Sequence, residues 1–336
     1  MNETARNTYI PLSCRKKHPK LWFDDGNIIL ATKLSLFRVH RSLLSAYSPV
    51  FADMLSLPQP EVAENTIDGL PDVHVVVFSD DDNEFTHFLR FCYNPRYHQG
   101  GMPTTFDIIS GLLRMSTKYQ VDELRDEVIS HLALAYPSTF TKYAEAVKPN
   151  AQLTLFPPFD GQHFAVARLA RETEATILLP VALWRSSCQL RQEIMARERS
   201  VSTREIDRQR LTPADERTCL SVQLACHAIY MWLSHELLSI LGRTCPGSRA
   251  DNAKCTDIAL RAMAKHFSSS FDSQSVDVLQ RWDSCDVWTD LVCDRCRWNA
   301  AFKVLRFKRS IWDGLPGRFG LRPWGGLVPE STPATT

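Results

Sequence analysis

The chain has 336 residues and a mass of 38.3 kDa, which is long for one small domain and comfortable for two. Hydrophobic residues make up 44% and charged residues 23%, a normal globular composition that excludes wholesale disorder and the collagen, coiled-coil and low-complexity classes. The formal net charge is +1, so the chain as a whole has no charge bias toward nucleic acids or membranes.

Targeting signals are not apparent. Residues 1–20 are basic but contain no apolar run of seven or more, so secretion is not expected. The most apolar window, residues 222–241, is interrupted by His227, His235 and Glu236, which make a membrane span costly and predict a buried amphipathic helix instead. Without secretion, the ten cysteines are expected to be mostly reduced thiols in the cytoplasm or nucleus.

Three strands are predicted in the first third of the chain. Residues 27–32 form a short strand candidate, and residues 35–39 alternate polar and apolar side chains as a half-buried strand does. Residues 73–78 are apolar and β-branched almost throughout, which predicts a central strand buried on both faces.

Helices are expected between and after these strands. Ser48 followed by Pro49 is a strong helix start, because Ser can cap the helix and Pro suits its first position. Asp82, the last acid of a loop that we interpret as solvated and not as a cation site, is expected to cap the next helix. Apolar stripes within residues 108–119 and 121–132 predict two more helices.

The second half of the chain shows no convincing strand. Prolines and a glycine within residues 149–161 break the periodicity and indicate a domain boundary. Helices are predicted over residues 164–179 and 180–190, and a longer one begins at Thr212 and Pro213 and continues through residue 241. The pattern is therefore α+β, followed by an all-α domain.

Two segments carry opposite charge. Residues 20–135 have a net charge of −7, whereas residues 295–322 have a net charge of +7. Such asymmetry indicates separate folding units, or surfaces that attract each other or a partner. Two interpretations of the basic segment stay open: its aromatics could stack on single-stranded nucleic acid, or Trp298, Phe302 and Leu305 could share one face of an amphipathic helix, which we favour.

The segment 37–55, FRVHRSLLSAYSPVFADML, resembles the signature of the BTB/POZ domain. The matching positions are Phe37, His40, Arg41, Leu43, Leu44, Ser48 and Phe51. The strand at residues 73–78 and the later helices follow in the order typical of that domain. The resemblance implies a small sheet flanked by helices over residues 20–136 and a structural role for His40, which we expect to satisfy a backbone carbonyl.

The chain is further similar to BTB proteins common in mushroom-forming fungi. The similarity lies in WFDDGNIIL at the first strand, in residues 311–327 and in the preceding pair Cys293 and Cys296. The organisation that follows is a disordered tail at 1–19, the BTB/POZ domain at 20–136, a linker at 137–160, an all-helical domain at 161–328 and a disordered tail at 329–336.

The resemblance implies an interaction protein and not an enzyme. BTB domains dimerise, through helices near Leu21 and the hairpin between Leu43 and Leu55, and many recruit a cullin scaffold for ubiquitin ligation. An additional N-terminal helix is not evident before Leu21, so we expect a weak, salt-sensitive homodimer at most; Asp24 or Asp25 could supply the charged pocket of that family. A regulator that binds nucleic acid through residues 295–322 is the alternative.

Catalytic and cofactor sites are not predicted, because neither a glycine-rich phosphate loop nor a nucleophile elbow is apparent. The weak metal candidates are Cys285, Cys293 and Cys296, with Cys245, Cys255 and His266 upstream. Structural zinc usually takes four ligands in two close pairs, and only the pair of Cys293 and Cys296 is close in sequence. We therefore expect buried thiols and not a metal.

Overall fold

The computed structural model describes residues 11–57, 73–99, 102–148, 151, 155–189, 210–244, 255–261, 277–280 and 292–327. The chain divides into two compact units. The N-terminal unit comprises residues 1–131 and 154–157, and the C-terminal unit comprises residues 132–153 and 158–336.

A four-stranded mixed sheet organises the N-terminal unit, with strand order β1-β3-β2-β4. Its strands are β1 (Lys16–Trp22), β2 (Ile28–Ala31), β3 (Ser35–Val39) and β4 (Val75–Val77). β2 and β3 form a central antiparallel hairpin in which Leu30 lies opposite Phe37. Both strands were predicted, and all four side chains of β2 are buried, which fits a strand covered on both faces.

β4 is a correction to the prediction for residues 73–78. Within the described residues the strand pairs only with β2, in parallel, and lies at the edge of the sheet, and its Val77 side chain is 49% exposed. The β-branched run predicts a strand, but β-branched residues favour any pleated position, at the centre or at the edge of a sheet. The composition of residues 73–78 therefore predicts a strand but not its position in the sheet.

β1 is a second correction, because it begins at Lys16, within the segment 1–19 that was predicted to be a disordered tail. The strand pairs in parallel with β3 and has an irregular register between Lys17 and Trp22. Its sequence, KKHPKLW, carries lysines and Pro19, which disfavour a central strand but are tolerated at a sheet edge. Because lysines and proline are untypical of strands, the sequence pattern does not predict β1.

Five helices complete the N-terminal unit as the structure describes it. They are α1 (Arg41–Tyr47), α2 (Pro49–Ser56), α3 (Asp82–Tyr93), α4 (Phe106–Lys118) and α5 (Asp122–Leu132). α3 packs on α4, and the aromatic core beside them contains Phe51, Phe78, Phe85, Phe88 and Tyr119. The predicted helices at residues 108–119 and 121–132 correspond to α4 and α5.

The described part of the C-terminal unit contains helices and turns and no strand, so the predicted α+β class with an all-helical second half is confirmed. The helices are α6 (Phe140–Ala146), α7 (Gln162–Glu172), α8 (Leu179–Ser187), α9 (Pro213–Thr244), α10 (Asp294–Asp313) and α11 (Leu315–Arg318). Residues 255–261 form a further short helix. The predicted tail at 329–336 lies outside the described residues.

Two predictions about these helices need correction. The segment 137–160 was predicted to be a linker, yet it contains α6, whose Tyr143 is fully buried in the C-terminal unit. The helix predicted at residues 222–241 exists as part of α9, but it is not wholly buried, since Leu224 is 67% exposed and Trp232 50%. Among the described helices, none combines the length and hydropathy needed to cross a bilayer.

A buried carboxylate holds together the core of the C-terminal unit. Asp277 accepts hydrogen bonds from the Tyr143 hydroxyl at 2.6 Å, the Trp184 indole N–H at 3.1 Å and the Leu279 amide at 2.9 Å. Burial, and then the neighbouring Asp277 carboxylate, raise the pKa of Tyr143 well above its usual value, so this hydroxyl keeps its proton and remains a donor. Asp277 thereby links α6, α8 and its own turn.

Candidate functional site

The seven residues of the predicted signature lie mostly inside the N-terminal unit. Phe37, Leu44, Ser48 and Phe51 are buried, and His40, Arg41 and Leu43 are partly exposed. The Phe37 ring on β3 stacks on His18 at 5.2 Å and meets the edge of Phe85 at 5.7 Å. The signature therefore specifies the packing of the sheet against its helices and not a cluster of reactive groups.

Ser48 joins three elements through one hydroxyl. Its oxygen accepts a hydrogen bond from the Phe51 amide at 3.1 Å, which caps α2 as predicted, with Pro49 at the first helical position. The same hydroxyl donates to the Tyr119 carbonyl at 2.6 Å. The buried side chain thus fixes the α1–α2 hairpin against the end of α4.

His40 lies at the junction of β3 and α1, as predicted, but its partner is not the backbone carbonyl that we expected. The backbone N–H of His40 donates to the Tyr93 hydroxyl at 2.9 Å, and its ring Nδ1 is 2.8 Å from that oxygen. The same hydroxyl thus contacts both the backbone N–H and the ring of His40, and which of the hydroxyl and Nδ1 donates depends on the tautomer of the ring. Nε2 faces the Asp25 carboxylate at 3.3 Å.

The Tyr93 hydroxyl is suited to this junction because it stays protonated. Burial raises the pKa of Tyr93 to about 12, so the phenol remains neutral at physiological pH. Asp25, one of the two acids expected to supply a charged pocket, has a side chain that is 84% exposed and lies beside His40. We assign the group of Asp25, His40 and Tyr93 a structural role at the strand-to-helix turn.

The start of α1 is capped by a residue distant from it in sequence. The Asn27 side-chain oxygen accepts from the Arg41 amide at 2.8 Å, while the Arg41 guanidinium donates to the Leu55 carbonyl near the end of α2. The preceding Gly26 lies close to Arg38 on β3, where a Cβ would be only 2.9 Å from Cγ of Arg38. Gly26 and Asn27 therefore each have a structural role in the turn before β2.

The acidic loop at residues 79–82 differs from the predicted solvated loop. Asp80 is buried, pairs with Lys118 at 2.5 Å and accepts from the Tyr119 hydroxyl at 2.7 Å. Asp81, and not Asp82, caps α3 by accepting from the amides at positions 83 and 84. The Asp82 carboxylate instead accepts from the Thr32 hydroxyl at 2.6 Å. Each carboxylate thus has a partner within the fold.

The α1–α2 hairpin leaves apolar side chains at the surface of the N-terminal unit. Leu43 on α1 and Val50 and Met54 on α2 are partly exposed, and Leu57 after α2 is 62% exposed. Exposed apolar surface beside helices is typical of a site that binds another protein. The described N-terminal unit is therefore a scaffold in which polar side chains join the elements and one helical hairpin offers apolar surface.

Comparison with known families agrees with that interpretation. Residues 26–134 match the family model of the BTB/POZ domain, and the chain therefore contains a BTB/POZ domain at its N-terminal end. This domain is a protein–protein interaction module of a non-enzymatic family. No curated protein matches the chain. The finer resemblance to the variant from mushroom-forming fungi stays a prediction.

Helix α10 carries the basic segment singled out in the sequence. Trp298, Phe302 and Leu305 do share one face, as we expected, but that face is exposed, by 76%, 68% and 45% respectively. The opposite face is buried through Ala300 and Val304, among others. The aromatic stripe thus lies at the surface of the C-terminal unit.

Not every cation of that segment is available at the surface. Lys308 is only 2% exposed on the buried face of α10, whereas Arg295, Arg306 and Arg309 are exposed. The exposed aromatics therefore have exposed arginines on the same helix, an arrangement that suits an acidic partner surface or stacked bases.

Two of the three weak metal candidates, Cys293 and Cys296, lie at the start of α10, and Cys285 lies outside the described residues. The fold brings Cys255 to this pair although it is 38 residues away in sequence. The sequence analysis named Cys255 only as an upstream residue. No spacing rule connects it to the pair, so only the fold could show their proximity.

Other cysteines behave as the predicted buried thiols. Cys92 on α3 and Cys188 after α8 are buried. Burial raises the pKa of Cys92 to about 12 and that of Cys188 well above its usual value. A thiol with a raised pKa is a poor nucleophile at neutral pH, so both residues act as small apolar groups in the core.

Proposed function

We propose that the chain is a non-enzymatic interaction protein that associates with a second copy of itself through the apolar face of the α1–α2 hairpin. The observation that carries this proposal is that Leu43, Val50 and Met54 are partly exposed and Leu57 is 62% exposed on one helical hairpin of a domain of a known interaction family. Burying such side chains against a partner removes apolar area from water and favours association.

Charge supports a second copy as the partner. The segment containing the BTB/POZ domain, residues 20–135, has a net charge of −7, and residues 295–322 have a net charge of +7. Arg295, Arg306 and Arg309 are exposed on α10. In a complex of two copies these opposite charges can attract each other. This attraction speeds the association of the copies and stabilises the complex, and added salt weakens it.

We expect a weak homodimer whose affinity falls by about tenfold when the salt concentration is raised from about 0.05 M to about 0.5 M. Leu57→Asp should weaken the dimer further at both salt concentrations, because a carboxylate would have to be desolvated in the interface. Light scattering and sedimentation of the full chain over a range of concentrations would measure both effects.

Met102→Asp is the matched control, since Met102 is a 55% exposed apolar residue of the same unit and lies outside the hairpin. It should dimerise like the unmodified chain. A strict monomer at high protein concentration in both salts would contradict self-association and leave a hetero-adaptor as the function.

If the chain binds a different protein instead, we propose that it is an adaptor, which brings a client protein to a cullin scaffold for ubiquitin ligation. It rests on the resemblance of residues 37–55 to the BTB/POZ signature. We propose the cytoplasm or nucleus as the place of action, where cysteines such as Cys92 and Cys188 stay reduced. Copurification of a cullin with the full chain, lost in Leu57→Asp, would support this adaptor role.

Nucleic-acid binding through residues 295–322 is a second candidate because Trp298 and Phe302 are exposed on a helix with exposed arginines. Stacking on each aromatic should contribute about 1–3 kcal/mol to binding of single strands. An electrophoretic shift assay with single-stranded oligonucleotides should then show binding that weakens steeply with salt and is lost in Trp298→Ala, but not in Leu224→Ala, which removes an exposed apolar side chain of α9. Salt-insensitive or undetectable binding would exclude this candidate.

A further inference from the structure

Three thiols from distant parts of the chain meet in the C-terminal unit. The Sγ atoms of Cys255, Cys293 and Cys296 all lie within 4.8 Å of one another. Cys255 and Cys296 are buried and Cys293 is partly buried. Cys255 opens the short helix at 255–261, and the other two residues open α10. The cluster thus joins the N-terminal ends of two helices.

The spacing of the three sulfur atoms approaches that of a zinc site. A tetrahedral zinc ion with bonds of about 2.3 Å to sulfur places its thiolates about 3.8 Å apart. The observed limit of 4.8 Å exceeds this value by an amount that rotation about the side-chain bonds can remove. Cys293 and Cys296 also have the C-x2-C spacing with which a chain commonly supplies two ligands to one ion.

Backbone groups lie close to the three sulfur atoms. The backbone N–H of Cys293 donates to Sγ of Cys255 at 3.4 Å, a hydrogen bond that is stronger to a negatively charged sulfur. Cys293 is the N-cap residue of α10, and its side chain makes no capping hydrogen bond. Cys296 lies in the first turn, where the helix dipole stabilises negative charge.

We propose that Cys255, Cys293 and Cys296 bind one structural zinc ion through their three thiolates. Binding releases the thiol protons as the metal–sulfur bonds form, with no change in oxidation state. The fourth position of the tetrahedron is open to a water molecule or a further side chain. The ion would anchor the start of α10, the helix that carries Trp298, to the short helix at 255–261.

Metal analysis of the purified full chain tests this assignment. Protein prepared with a thiol reductant and supplied with zinc should contain about one zinc ion per chain after exchange into metal-free buffer. Cys255→Ser should lower the zinc content at least about fivefold, because serine does not replace a thiolate ligand. Cys14→Ser, which removes an exposed thiol of the N-terminal unit, should leave it unchanged.

A rescue variant keeps the test independent of misfolding. Cys255→His offers an imidazole, which also ligates zinc, and should retain most of the metal that Cys255→Ser loses. Cobalt(II) supplied instead of zinc should give thiolate-to-cobalt charge-transfer bands in the unmodified chain, and these bands should weaken in Cys296→Ser. Chelation should increase hydrogen exchange in the first turns of α10, and zinc should restore protection.

Two results would overturn the proposal. One is a chain that takes up no zinc under reducing conditions, or whose zinc content is unaffected by Cys255→Ser. The other is alkylation and mass analysis showing that Cys293 and Cys296 form a disulfide in protein purified without reductant and supplied with zinc, which would make the cluster a redox pair.

Discussion

Replacing Phe51 by alanine is expected to lower the free energy of unfolding of the N-terminal unit by about 3–5 kcal/mol. Phe51 is fully buried, and its ring lies 4.5 Å from that of Tyr119 and 6.2 Å from that of Phe88, measured between ring centroids. Truncation would remove these contacts and leave a cavity between α2, α3 and α4. Hydrogen exchange of the full chain, followed by mass spectrometry, would report the loss in α2 and α4 peptides separately from the C-terminal unit.

Asp53→Ala supplies the control for that measurement, since Asp53 is exposed on the same helix. Its effect should stay within about 0.5 kcal/mol. Equal loss of protection in the two variants would show that Phe51 does not have the central position assigned to it.

Replacing Asp277 by alanine should destabilise the C-terminal unit by about 3 kcal/mol, the second largest effect that we expect. The substitution would leave the buried Tyr143 hydroxyl and Trp184 indole N–H without the acceptor that both now share. Each unsatisfied buried donor costs about 1–3 kcal/mol. Faster exchange in α6 and α8, which carry these two side chains, would measure the loss.

Asp277→Asn separates hydrogen bonding from simple loss of the side chain. Its amide oxygen can still accept from the indole, and its NH2 group can donate to the tyrosine oxygen, so the loss should be only about 1 kcal/mol. Asp313→Ala, at an exposed position of α10, should have no measurable effect. An alanine variant at position 277 as stable as the asparagine variant would contradict the proposed role of the carboxylate.

The elements that could be predicted from the sequence are those specified by local interactions. Alternating side chains marked β3, and the pair of Ser48 and Pro49 marked the start of α2, because caps and pleats depend on adjacent residues. The places of β1 and β4 at the sheet edges could not be predicted in this way. They depend on which strands pair across long intervals of sequence, and pattern analysis does not contain that information.

The same distinction applies to the candidate sites. The signature around His40 predicted the domain. The side chains that contact His40, Tyr93 and Asp25, lie elsewhere in the chain, and no sequence pattern connects them to it. Similarly, Cys293 and Cys296 were visible as a pair, whereas Cys255 joins them only through folding. The shared face of Trp298, Phe302 and Leu305 could be predicted, but helical periodicity does not say whether the protein covers that face, and here it is exposed.

Strand β1 limits how the sheet can be extended. Lys16, Lys17 and Lys20 are its charged residues, and Pro19 lacks the N–H that an added strand would need. Two copies meeting antiparallel along this edge would bring lysines close to one another, and the like charges would repel. β1 therefore protects the chain against edge-to-edge polymerisation, and a peptide that added to the sheet here would need carboxylates facing the lysines and a gap in its hydrogen bonding opposite the proline.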